Sequence, residues 1–212
     1  MRSSWIITIF ILTASLICAE LNASVYQGFS GGMMAHAGYM FGVDHNAPST
    51  STGALCSPQG ASFGLGGSLR VHLWKHLRLG GEGFVATMNS STTNMNNILQ
   101  DGSYIRTGWG GAVIDACWRQ EKVWPYIGAS LGGGARRSLY ILEGNQDDWL
   151  AETNAVFHKQ SFFYLLPYVG MDWCLTQKVH MTFRLDWMLA FHQGEILQPS
   201  GPRILIGFMF CH

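Results

Sequence analysis

Charge is what this sequence has least of. Only 12% of its 212 residues are Asp, Glu, Lys or Arg, against about 25% in an ordinary soluble domain. The 13 basic and 13 acidic side chains cancel, so no net field points to nucleic acid or to an acidic partner. Past the amino-terminal segment no apolar run reaches about 18 residues, which excludes helical membrane spans. Cysteine is also sparse. Cys56, Cys117, Cys174 and Cys211 follow the first of the five, and their spacing matches neither a paired zinc motif nor a small disulfide scaffold. They read as free thiols.

Glycine (26 residues) and aromatics (13%) are abundant instead. The chain opens with Arg2 and an apolar stretch from Trp5 to Ala19, broken only by Thr8, Thr13 and Ser15. This has the charge, length and small-residue ending of a signal peptide, 1–23, with cleavage after Ala19 or Ala23. Leu16-Ile17-Cys18 resembles a lipidation site, but Ile17 is bulky where a small residue is usual.

The remainder, 24–212, alternates. From Val179 to His192 the odd positions are Val, Met, Phe, Leu, Trp, Leu and Phe, while the even ones include His180, Thr182, Arg184, Asp186 and His192. A strand sends successive side chains to opposite faces, so one face is apolar and the other carries ions. A helix would mix the two sets. The same period predicts eight strands, near 26–43, 61–74, 77–90, 103–118, 123–139, 161–175, 179–193 and 202–211. The fourth is irregular. If Ile105, Thr107 and Trp109 face the apolar side, Asp115 joins them unless Gly110-Gly111 hosts a bulge.

Connections near 75–76, 119–122 and 176–178 are very short, whereas 44–60, 91–102 and 140–160 are long. Short turns alternating with long loops is the layout of an outer-membrane barrel, turns inside and loops outside. Trp74, Trp118, Trp124 and Trp173 sit beside the short turns, as an interfacial aromatic girdle would. The polar faces are mostly Gly, Ser, Ala, Tyr and Met with a few ions each. That composition suits a narrow lumen better than a water-facing surface. The fold class is therefore all-β: an eight-stranded antiparallel up-and-down transmembrane β-barrel.

Pro125-Tyr126-Ile127-Gly128, Gly132-Gly133-Gly134 and Pro167-Tyr168-Val169-Gly170 resemble segments of small outer-membrane β-barrel proteins of the OmpA-barrel and OmpX type. The resemblance implies the outer membrane of a Gram-negative bacterium, with outer-membrane lipid and the barrel-assembly machinery as partners. The machinery would engage the carboxy-terminal strand, which ends Phe208-Met209-Phe210-Cys211-His212, with His212 where that family places an aromatic residue.

Candidate chemistry lies on the inward face. Arg70, Arg78, Glu82, Arg106, Arg136, Asp172, Arg184 and Asp186 fall there by parity. Buried ions must pair, so a structural network is expected, centred on Arg70, Arg78, Glu82, Asp172, Arg184 and Asp186, with Glu82 meeting Arg184 across the axis. His36, His72, His180 and His192 share this face as hydrogen-bonded lumen residues. His158 and Ser161, with Asp147, Asp148 and Glu152 nearby, suggest a lipid deacylase, yet 158 and 161 differ in parity. Glu143, Asp147, Asp148 and Glu152 form an acidic loop that reads as solvated, with divalent-cation capture as the alternative. Pro167, in mid-strand, should weaken the seam between strands five and six or mark a bulge. No cofactor or metal site is expected. The leading reading is a barrel with a plugged polar lumen, a scaffold displaying extracellular loops. A lipid-modifying enzyme and a narrow pore are the alternatives.

Overall fold

The computed structural model describes residues 26–41, 59–89, 103–141, 155–192 and 195–212. The signal peptide and the acidic loop lie outside the described residues. Eight strands run in sequence order: β1 (Tyr26–Met40), β2 (Gly60–Leu73), β3 (Leu77–Asn89), β4 (Tyr104–Cys117), β5 (Val123–Ile141), β6 (Ala155–Cys174), β7 (Val179–His192) and β8 (Glu195–Cys211). Each pairs antiparallel with the next, and β1 pairs with β8, so the sheet closes with no free edge. At the closing seam Phe29 and His212 exchange two 2.9 Å backbone hydrogen bonds. The His212 imidazole stacks on Phe29, centroids 5.1 Å apart.

Two strands extend beyond the stretch that alternation marks. β6 begins at Ala155 and β8 at Glu195, not near 161 and 202. The β5–β6 ladder stays paired up to Ile141↔Ala155. Hydrophobic alternation needs an apolar solvent on one side, and Lys159 and Ser161 stand where that solvent has ended. In β8 the pattern is interrupted by Pro199 and Pro202 and by an irregularity opposite Met188–Ala190. Gly201 there adopts φ +151, and a Cβ would strike the Tyr39 carbonyl, so only glycine fits.

β4 corrects the expected facing. Its ladders to β3 and β5 run without a register shift, so no bulge exists at Gly110-Gly111. Ile105, Thr107, Trp109, Val113, Asp115 and Cys117 are all buried on one face. The outward positions are Arg106, Gly108, Gly110, Ala112 and Ile114. Arg106 is exposed on the outside, not in the lumen as parity from the misassigned face required.

The molecule is inside-out relative to a water-soluble protein. Arg70, Arg78, Arg136 and Arg184 are among its largest fully buried side chains, while Leu131 (64%) and Ile204 (66%) are mostly exposed. Such an apolar exterior is stable only against hydrocarbon. On β6 the outward apolar positions run unbroken from Phe163 to Trp173, with Phe157 apart above Lys159 and Ser161, a height of about 26 Å for the unbroken run at ~3.4 Å per residue and a tilt of ~40°. That matches the apolar band of about 25 Å found on membrane barrels. Trp74, Trp118 and Trp173 are exposed at its lower rim. Trp124 does not join them. It turns inward, packs edge-on against His180 at 4.6 Å and donates from Nε1 to the Gln120 carbonyl (2.8 Å).

Pro167 acts on the opposite seam from the one expected. The β5–β6 ladder passes through Ala129↔Pro167 unbroken. The β6–β7 ladder instead skips from Leu165↔Leu189 to Tyr168↔Asp186, where the proline has no N–H to give.

The facing assignment has a direct test. Leu185, outward in mid-band and 52% exposed, should lose about 2–4 kcal/mol on replacement by Arg. The lumen-facing change Thr182→Ser should be nearly neutral. Reversible urea unfolding in lipid vesicles measures both; equal tolerance would reverse the faces.

Candidate functional site

The lumen is built from the residues that alternation turns inward, and two glycines let them cross it. Tyr126 of β5 lies over Gly170 of β6, where a Cβ would collide with the ring. Its hydroxyl thereby reaches Thr182 of β7 at 2.9 Å. His36 of β1 passes over Gly64 of β2 in the same way, and its Nε2 meets the Val85 carbonyl of β3 at 3.1 Å.

Ions fill the lower and middle lumen in two layers. In the lower one, Arg78 bridges two carboxylates. Its Nε contacts Asp115 Oδ1, and its Nη1 donates to Asp172 Oδ2 at 2.7 Å. Asp115 also accepts from the Tyr168 hydroxyl (3.0 Å), and Arg70 Nε stands 3.4 Å from its second oxygen. The Arg70 guanidinium lies 4.9 Å from the Tyr126 ring centroid and 5.8 Å from that of Tyr168. Its nitrogens make no hydrogen bond, so aromatic faces and one carboxylate carry its charge.

The layer above spans the whole barrel. Arg184 of β7 donates from Nη1 to Glu82 Oε2 (2.5 Å) and from Nη2 to Oε1 (3.2 Å). β3 and β7 are four strands apart, the largest separation in a ring of eight. Two parallel N–H···O bonds fix both planes as well as the distance. Asp186 lies 3.2 Å from Arg184 Nε and accepts from Arg203 Nε at 2.8 Å. Tyr168 connects the layers, since the Arg184 guanidinium sits 3.9 Å over its ring. Higher still the lumen is aromatic. Trp109 stacks on Phe84 at 5.7 Å and supports Arg203 at 4.4 Å.

Buried charges among the described residues are Arg70, Arg78, Arg136, Arg184 and Arg203 against Glu82, Asp115, Asp172 and Asp186. The six residues singled out from sequence, Arg70, Arg78, Glu82, Asp172, Arg184 and Asp186, all lie in this lattice. Asp115 and Arg203 complete it and were missed. Arg203 shares its parity with the other inward positions of β8, and Asp115 shares its parity with Cys117 and Val113, so both were readable once the face was right.

The other candidates are not assembled. His158 is half-buried on the inward face, whereas Ser161 is exposed outward, and Asp147, Asp148 and Glu152 lie outside the described residues. A nucleophile and base for deacylation do not meet here. His72 contacts Ser30 Oγ (3.0 Å) and accepts from Arg119 Nη2 (2.7 Å), while His180 lies 3.5 Å from Cys211 Sγ. Among the described residues no group of three His, Cys, Asp or Glu is placed to hold a metal.

No protein-family model matches the sequence, and no curated protein does. Among solved structures, Neisserial surface protein A is similar at TM-score 0.54 and 16% identity, covering 86% of this chain and 96% of that one. The outer membrane protein OprG from Pseudomonas aeruginosa is similar at TM-score 0.54 and 10% identity, covering 89% and 97%. At these identities the likeness is one of fold. The chain has the fold of small outer-membrane β-barrel proteins.

Asp115 is the node of the lower layer, so its removal strands Arg70 and Arg78 together. Asp115→Ala should cost about 3–5 kcal/mol, the penalty for leaving a buried charge unpaired. Tyr168→Phe, which removes one hydrogen bond and keeps the ring, should cost about 1–3 kcal/mol. Urea unfolding in lipid vesicles, followed by tryptophan fluorescence, checks the order; a larger loss for Tyr168→Phe would move the node.

Proposed function

We propose that this chain is an outer-membrane scaffold whose lumen is closed by its own ions and which presents its long connections, 42–58, 90–102 and 142–154, outside the cell. The single observation that carries this reading is the Arg184–Glu82 pair, which joins opposite walls by two hydrogen bonds. Arg203–Asp186, Arg78–Asp115 and Arg78–Asp172 lie against it at neighbouring heights. An ion crossing the barrel would have to break paired charges in a space only as wide as side chains. Breaking such a pair costs several kcal/mol, since each partner is then left buried and alone.

The short turns, at Trp74–His76, 118–122 and 175–178, face the periplasm in this reading, and the lysines report it. Lys75, Lys122 and Lys178 are exposed on the turns. A membrane-impermeant amine reagent should leave them unmodified on intact cells and modify them once the outer membrane is opened. Labelling of all three on intact cells would invert the orientation.

Conductance tests the closed lumen. Wild-type protein in planar bilayers should pass negligible current, whereas Glu82→Ala should lower stability and open small, flickering events. Large, steady wild-type channels would replace the scaffold reading with a pore.

A further inference from the structure

The outward positions of the described strands are apolar, small or uncharged polar with three exceptions. Arg106 of β4, Arg137 of β5 and Lys159 of β6 are all exposed. They are also direct cross-strand neighbours: Arg106↔Arg137 and Arg137↔Lys159. Like charges set opposite one another in a sheet repel, and every carboxylate on the described strand segments whose facing is defined points into the lumen. Arg106 is held in place by its contact with the Tyr104 ring, 4.8 Å to the centroid. The row lies on the long-loop side. Lys159 stands about 10 Å above Phe163, where the unbroken apolar run on β6 ends, with exposed Phe157 alone above it, at ~2.6 Å of height per residue. That is headgroup depth.

A second feature lies directly beneath. The next outward rows are Gly108–Ala135–Ser161 and then Gly83–Gly110–Gly133–Phe163. The backbone does not demand these glycines, since positive φ occurs only at Gly28 and Gly201 among the described glycines. Crowding does not demand three of them either: a Cβ at Gly83, Gly108 or Gly133 would meet nothing closer than 3.6 Å, whereas one at Gly110 would press on the Glu82 carbonyl at 3.1 Å. Glycine weakens a strand interior, yet here it leaves bare backbone between Val85 and Phe163, an outward-facing trough that runs down to the hydrocarbon with three cations at its head.

We propose that the outer face of β3–β6 binds a phosphorylated glycolipid of the outer leaflet, with phosphates on Arg106, Arg137 and Lys159 and acyl chains laid along Gly83, Gly110 and Gly133. Guanidinium groups grip phosphate bidentately. Strands sit about 4.8 Å apart, so the row spans ~10 Å at the backbone. That reach suits two phosphates separated by a disaccharide better than the single phosphate of a glycerophospholipid. The inference requires the outward orientation of the long loops and is independent of whether the lumen conducts.

The test uses the full-length barrel in detergent micelles, titrated with bisphosphorylated lipid A, with its dephosphorylated form, and with phosphatidylglycerol, bound lipid being counted by native mass spectrometry. Bisphosphorylated lipid A should be retained best. The triple change Arg106→Gln, Arg137→Gln, Lys159→Gln should weaken it about ten-fold or more, and Gly133→Leu should weaken it with the cations intact. Folding of each variant is read from heat-modifiable gel migration. Wild-type protein supplies a readout that needs no variant: retention should fall as ionic strength rises. Equal retention of the three lipids, or insensitivity to both salt and the triple change, overturns the proposal. So does a wild-type dimer that Gly133→Leu dissociates, since the face would then belong to a second copy.

Discussion

In a ring of eight strands the interior is only about as wide as the side chains that fill it, and every inward ion must find its partner inside that width. The remaining features follow from this constraint. Closure satisfies the backbone, because no edge is left to meet hydrocarbon. It also leaves nine charged side chains with little access to bulk water. Arg184 solves its share by reaching Glu82 on the far wall, and Arg78 by spanning Asp115 and Asp172. A buried pair is a poor source of net stability against an apolar filling, but it is intolerant of misalignment. Its value here is register. Only one pairing of the strands puts Glu82 opposite Arg184 while Asp115 faces Arg78.

The lattice also braces a weak line in the wall. By register, Pro167, Trp187 and Pro202 fall in one outward row across β6, β7 and β8. The ladder on one side of Trp187 is interrupted, and the other side shifts register just above it. Pro167 has no N–H to give to β7, so the strand is less continuously paired at this row than below it. Asp186 and Arg203 pair across β7–β8 immediately below this row, and Arg184 ties the same strand to β3. Side-chain ions brace the strand where Pro167 interrupts the ladder.

The fold was legible because lipid outside and polar lumen inside impose the same two-residue period on every strand, without interruption at 179–192 and 203–211. β4 failed because both its faces break the code. Its outward residues include Gly108, Gly110 and Ala112, too small to read as lipid-facing, while Ile105, Trp109 and Val113 fill the lumen. Contrast along the strand vanishes when the apolar side chains are inside. Continuing the parity from Asp115 rather than from Trp109 would have resolved it, since a lone carboxylate facing hydrocarbon is far costlier than an indole in a lumen. Trp124 misled for a related reason. Proximity to a turn fixes height, but only parity fixes facing, and 124 shares its parity with Tyr126 and Ser130. The Glu82–Arg184 partnership was accessible from parity and height together. The row of Arg106, Arg137 and Lys159 was not, because it exists only across strands and its first member had been assigned to the wrong side.

One rule of charge then separates the two polar regions of the molecule. Inside, Arg70, Arg78, Arg184 and Arg203 meet Glu82, Asp115, Asp172 and Asp186. Outside, three cations share a row with no carboxylate among the described residues, above a surface stripped of side chains. A chain this poor in charge does not set like charges side by side at a membrane boundary for stability, because each repels the next. Among the described residues no carboxylate stands in that row to supply the countercharge. At that depth the anions available in quantity are the phosphates of the surrounding leaflet, and the proposed glycolipid would supply there what the lumen's carboxylates supply to the arginines inside.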